Sequence, residues 1–150
     1  MSTSCLTVFK NESDQEIAVL YRHCDGYPKV HGRELAECLA GFKSVDGFSI
    51  DDTKDKKCAN GVGCLTAQVV AYFKKGVGNF YLEPAGTRDI GEDYIYTVYL
   101  APDGFRPAIR VERVGVSAEM VGEVSETLFD GLANSYREIL RKSTTSNIAS

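Results

Sequence analysis

The chain has no tryptophan, two methionines, four prolines and only two histidines in 150 residues. Any imidazole chemistry therefore rests on His23 and His31, eight positions apart. No stretch approaches 18 uninterrupted apolar residues, which argues against a membrane-spanning helix. The start, Met1 to Phe9, has no basic segment followed by an apolar run, so no secretory leader is expected. Positive charge is scarce too. Seventeen Lys and Arg stand against 21 Asp and Glu, a formal charge of -4, so no long-range field gathers nucleic acid, and none is expected as a partner. The cysteines (Cys5, Cys24, Cys38, Cys58, Cys64) are odd in number and lack a CxxC pair. They read as reduced thiols in a cytoplasmic compartment, without a structural disulfide.

What is present is the composition of an ordinary globular domain, 43% hydrophobic and 25% charged. One domain over residues 1–142 is expected, with a disordered Ser/Thr/Asn tail over 143–150. Cys5 to Phe9 and Glu16 to Arg22 read as a β-hairpin around the polar turn Asn11-Glu12-Ser13-Asp14, the second strand covered on both faces. Leu35, Cys38, Leu39 and Phe42 then share one stripe of a helix whose first turn tolerates Pro28. Residues 43–59 have little periodicity and read as an exposed loop. Cys64 to Lys75 is apolar on almost every side, the pattern of a buried helix, with Gly76 placed for a left-handed cap. Phe80 to Leu82, Asp93 to Ala101 and Ala108 to Val114 read as strands. Residues 115–129 are ambiguous between helix, strand and loop, and Leu132, Tyr136, Ile139 and Leu140 mark a C-terminal helix. Strands and helices segregated in this way predict an α+β fold: a mostly antiparallel sheet of about five strands, two central helices and a C-terminal helix.

Reactive groups are densest from Tyr21 to Gly32 (YRHCDGYPKVHG). A metal site from His23, Cys24, His31 and Cys58 or Cys64 lacks the paired ligand spacing of zinc sites, so no metal is expected. Cys24 as a nucleophile would need His23 or His31 as its base and Asp25 to orient it, but neighbours on a strand such as His23 and Cys24 point to opposite faces, so covalent catalysis is not expected. Asn60-Gly61-Val62-Gly63 opens a helix and so presents free N–H groups to an anion, although no strand-loop-helix phosphate motif surrounds it. Asp25 would serve equally as that end's cap. The aspartates Asp46, Asp51, Asp52 and Asp55 do not match a calcium loop. Tyr81, Tyr94, Tyr96 and Tyr99, with Arg88, Arg106, Arg110 and Arg113, read as half-buried sheet residues more readily than as a binding surface.

Three strings, YRHCDGYPKVHG (Tyr21 to Gly32), NGVGCLTAQVVAYFK (Asn60 to Lys74) and PAGTRDIGEDYIYTV (Pro84 to Val98), resemble the signatures of a family of small uncharacterised bacterial and phage or prophage proteins. Those members read YRHxDGYP with a following HG, then NGxGxLxAQ, then a Gly-Thr loop before a tyrosine-rich strand. The resemblance implies a bacterial or phage setting and no particular activity; it does not extend beyond Pro107.

Two functions are expected from these features. The first is a phage-related protein-binding module, acting on a partner protein or self-associating through its sheet, with no cofactor. The alternative is a small-ligand-binding domain or enzyme, its pocket formed by Arg22, His23, Asp25, His31, Asn60, Gly61 and Gly63.

Overall fold

The computed structural model describes residues 2–115 and 124–136. Among them, eight strands and two α-helices precede a last helical segment at residues 133–136, in the order β1 (Cys5–Lys10), β2 (Glu16–Arg22), a π-helical turn (Pro28–Gly32), α1 (Arg33–Leu39), β3 (Lys43–Val45), β4 (Cys58–Asn60), α2 (Gly61–Phe73), β5 (Phe80–Glu83), β6 (Tyr94–Leu100), β7 (Pro107–Val114) and β8 (Val124–Leu132). Six strands form the main sheet in the order β5-β2-β1-β6-β7-β8. The α+β class holds, with six strands in place of about five. Every neighbouring pair is antiparallel except β1 and β6, which run parallel. A parallel neighbour needs a crossover, and the segment between β2 and β6, which carries both helices, supplies it.

Burial follows strand alternation. Cys5, Thr7 and Phe9 of β1 face the helices, Leu6 and Val8 face the other way, and all five are fully buried. Phe9, Leu20, Tyr96, Val98, Ile109 and Val111 join Leu35, Leu39, Leu65, Val69 and Phe73 from the helices in the larger core cluster. Leu6, Val8, Val19, Ile95 and Val114 form a smaller cluster on the opposite face. As expected, β2 is a central strand.

Three local expectations need correction. Residues 43–59 are not a featureless loop, because β3 and β4 pair in parallel and a 3-10 turn spans Asp52–Lys54. Such short strands carry too few residues for a period-2 signal. The second helix starts at Gly61, where φ is +82°, so Asn60 to Gly63 opens it as expected. It is not buried all round, however, since Cys64, Ala67, Ala71 and Tyr72 are exposed. Nor does Gly76 form a left-handed cap: the chain leaves α2 extended at Lys74, and the positive-φ residues are Gly78 and Asn79. Lys74 Nζ instead donates to Gly78 O (3.0 Å) and Phe80 O (2.7 Å).

The ambiguous span resolves in part, as Val124–Leu132 is a strand, while residues 116–123 lie outside the described residues. A helix begins at residues 133–136; Ile139, Leu140 and the tail 143–150 also lie outside them. Among the described residues no helix is long and apolar enough to cross a membrane.

Candidate functional site

The residues singled out at the end of β2 do not share a pocket. His31 is fully buried. Its ring stacks on Phe73 (5.0 Å between centroids) and meets the edge of Tyr96 (4.7 Å). Nδ1 lies 3.1 Å from Arg22 Nη1 and Nε2 lies 2.7 Å from Thr7 Oγ1. A guanidinium only donates, so Nδ1 accepts, and Nε2 carries the proton donated to Thr7. Burial, reinforced by the Arg22 charge, pushes the imidazole pKa down to about 3, so the ring is neutral at physiological pH. Arg22 is itself buried, donating from Nε to Cys24 O (2.6 Å) and from Nη1 to Glu34 Oε2 (3.0 Å), with its guanidinium 5.0 Å from the Phe80 ring centre. A buried charge without partners would be costly, and here hydrogen-bond acceptors and a carboxylate meet it. The network joins β1, β2, the π-helical turn and α1.

His23, by contrast, is exposed on the other face, with Nδ1 3.1 Å from Tyr21 Oη and its carbonyl accepting from Ser4 Oγ (3.0 Å). Asp25 is exposed at φ +63°. Next to it, Gly26 has no room for a side chain, since a Cβ would come within 2.8 Å of the Ser4 carbonyl carbon.

The opening of α2 is already occupied. Glu12, from the β1–β2 turn, accepts the Val62 N–H on Oε1 at 2.8 Å, placing a carboxylate where the helix dipole and its free donors favour one. Asn60 Oδ1 accepts the Gly47 N–H (2.7 Å), and Gly63 is exposed with nothing within 4 Å of a built Cβ. Arg22 and His31 therefore form one constellation, Asn60, Gly61 and Gly63 a second, and His23 and Asp25 stand apart from both. Among the described residues no three His, Cys, Asp or Glu side chains are grouped to hold a metal ion.

A cleft of about 580 Å³ lies elsewhere, along the exposed side of α2. Cys64, Gln68, Ala71 and Tyr72 form its helical wall, Cys38 of α1 and Phe42 just beyond α1 extend it, and Phe48 with Asp52, Thr53 and residues 55–60 closes the far side. Gln68 is fixed at both ends: Nε2 donates to Cys58 O (3.2 Å), and Oε1 accepts the Cys64 thiol at 3.2 Å. Lys57 lies across the wall with its ammonium 5.2 Å from the Phe42 ring centre, donating to Glu37 O (3.1 Å) and Cys38 O (2.6 Å), the free carbonyls at the end of α1. Burial pushes the Cys38 thiol up to about 11, so it stays protonated. On the flanking connection Phe48 is 61% and Ile50 81% exposed.

Of the residues expected to form a ligand pocket only Asn60 lines this cleft; Asp52, Asp55, Cys58 and Cys64, which also line it, were weighed from the sequence only as metal ligands. The available signal was an apolar helix with more apolar surface than one core contact needs, together with Phe48 and Ile50 inside a charged segment.

The free edge of β5 bears on self-association through the sheet. His23 N–H donates to Asn79 O (2.8 Å), and the antiparallel alternation then turns the N–H and C=O of Phe80 and Leu82 away from β2. Phe80 O takes the Lys74 ammonium and Phe80 N–H donates to Gly78 O (2.7 Å). Among the described residues of β5 only Leu82 offers outward backbone groups without a partner there, so this edge is blunted.

No protein-family model, curated protein or solved structure matches the chain.

Proposed function

We propose that this protein is a binding module working through the cleft beside α2, which takes a small, mostly apolar molecule. The observation that carries the reading is the cleft itself: about 580 Å³, walled by Phe42, Phe48, Ala71, Tyr72 and cysteines, with the size and lining of a small-molecule site. Two further observations support binding over chemistry. His31 is enclosed with both ring nitrogens engaged, and the α2 N-terminus holds Glu12. A cytoplasmic setting goes with the reading, because all five cysteines are free thiols. The three resembling strings add a bacterial or phage origin to the same proposal.

A partner protein is the second reading, favoured by the exposure of Phe48 and Ile50 at the mouth, since a ligand confined to the cleft leaves Ile50 in water.

The test is an amide-resolved NMR screen of uncharged ring-bearing fragments against the whole chain. Shifts centred on Phe48, Cys64, Ala71 and Tyr72, abolished by Ala71→Trp in a folded variant, are expected. If no fragment moves these amides, the small-molecule reading falls. Co-purification of one protein from a bacterial lysate, lost in a Phe48→Ser, Ile50→Ser double variant, would then favour the partner.

A further inference from the structure

The two walls of the cleft are built differently. The α2 wall backs onto the core, where Leu65, Val69 and Phe73 are buried, and Lys57 is pinned to the end of α1. The far wall is drawn largely from residues 47–56, of which none is buried, although Phe48, Asp52, Thr53, Asp55 and Lys56 all line the cleft. Core packing therefore fixes one wall and not the other.

Hydrogen bonding repeats the contrast. Within the segment, the N–H groups of Asp52, Thr53, Lys54 and Asp55 donate to the carbonyls of Ser49, Ile50, Asp51 and Asp52 (3.1–3.2 Å), and Asp52 Oδ2 takes the Ser49 N–H (2.9 Å). Where the chain rejoins β4, Asp55 accepts from the N–H groups of Lys57 and Cys58. Ahead of that point, one hydrogen bond ties the segment to another element among the described residues: Gly47 N–H to Asn60 Oδ1 (2.7 Å). Gly47 itself stands at φ +89°, a conformation open to glycine. The turn thus holds its own shape and hangs from its two ends. With neither buried contacts nor a ladder to hold it, such a segment moves at low cost in free energy.

Its two large apolar side chains supply the reason to close. Phe48 and Ile50 are both exposed, and Ile50 does not line the cleft. An apolar molecule seated against α2 offers them a surface on which to leave water, which the empty cleft does not.

We infer that residues 47–56 form a strap that folds over the occupied cleft, turning about Gly47 and the stretch before β4, and that Ile50 becomes a contact of the bound molecule. The inference rests on the binding function proposed above and makes no demand on the charge of the ligand. Closure covers Ile50 without a partner protein, and it leaves the bonds inside the turn intact.

Phe48 borders the cleft already, so its loss weakens binding whether or not the strap moves. Ile50 therefore carries the test. Three neutral ring probes, 2-naphthylmethanol, 4-phenylphenol and indole, are titrated against the full chain by NMR. With the tightest of them bound, NOEs are expected between the Ile50 methyl groups and the probe. Ile50→Ser, with an unchanged unfolding curve, should bind that probe about five-fold more weakly, the size of burying part of an isoleucine side chain. If Ile50→Ser binds as tightly as the wild type, or no NOE links the Ile50 methyl groups to the probe, the strap inference is overturned and the binding proposal stands. If none of the three probes moves the cleft amides, both fall.

Discussion

His31 and Cys64 lie on opposite sides of the same helix. His31 stacks on Phe73, and Cys64 lines the cleft; Phe73 and Cys64 are nine residues apart on α2, about half a turn out of phase at 3.6 residues per turn. On the Phe73 side a residue type associated with catalysis is sealed in, neutral and bonded at both nitrogens. On the Cys64 side residues with an ordinary core role, Phe, Tyr and Ala, are left facing a space that the fold does not fill. The difference teaches that reactive chemistry and availability are separate properties. Burial converts His31 into a structural part, while incomplete burial converts apolar residues into a candidate site.

The largest expected effect that tests this contrast is on the buried side. His31→Ala removes a stacked ring and leaves Arg22 Nη1 and Thr7 Oγ1 without those partners, at a cost of about 3–5 kcal/mol in denaturant unfolding. A loss no greater than that of a surface substitution would mean that the junction does not hold the fold together.

Next comes Gly26→Ala. The new Cβ would meet the backbone of Ser4 at 2.8 Å, and backbone cannot swing aside as a side chain can. A loss of about 1–3 kcal/mol is expected from overpacking, read by the same unfolding curve.

The third effect is a pH dependence. His31 has a folded-state pKa near 3 against an ordinary 6.5, so between these values the unfolded chain binds more protons than the native one. Its contribution is complete above pH 6.5 and is lost as pH falls toward 3, by at most about 1.4 kcal/mol per pH unit. Burial opposes a low pKa at Glu16, yet Arg88 and the Gly86 N–H hold that carboxyl below its ordinary 4.5. Its stabilisation is present above 4.5 and is lost as pH falls below that, so the window from about pH 5 to 6.5 isolates the histidine effect. Imidazole NMR offers a direct check: the His31 ring signals should stay fixed across that window, and a titration midpoint near 6.5 would refute the assignment.

The smallest expected effect is on the cleft side. Phe48→Ser and Ile50→Ser remove exposed apolar groups and should change stability by less than about 0.5 kcal/mol. Phe48→Ser should also weaken fragment binding. If it destabilises the protein as much as Gly26→Ala does, Phe48 belongs to the core and the contrast between the two sides of α2 collapses.

Much of the fold was legible. The hairpin of β1 and β2, the apolar stripe of α1 and the strands near Phe80, Tyr94 and Ala108 all carry periodicity over enough residues to be read. What was missed is either short or non-local. β3 and β4 have three residues each, and the parallel pairing of β1 with β6 joins segments almost ninety residues apart. The candidate site was read less well. Arg22 and His31 do form one constellation, as their place in a dense motif suggested, but that constellation is closed, and Asn60 alone of the expected residues lines the cleft.

By itself the sequence determined the class of structure, the central hairpin and the buried stripe of α1, because each follows from alternation or helical phase, whereas the need for glycine at Gly26 comes from the distant backbone of Ser4. Only the tertiary structure decided which reactive groups face a ligand. Whether His31 is sealed, whether Glu12 covers the start of α2 and whether the outer side of α2 finds a neighbour all depend on segments distant in the chain. Helical phase shows that α2 has two apolar sides. It does not show that one of them packs on the sheet while the other borders an open cleft.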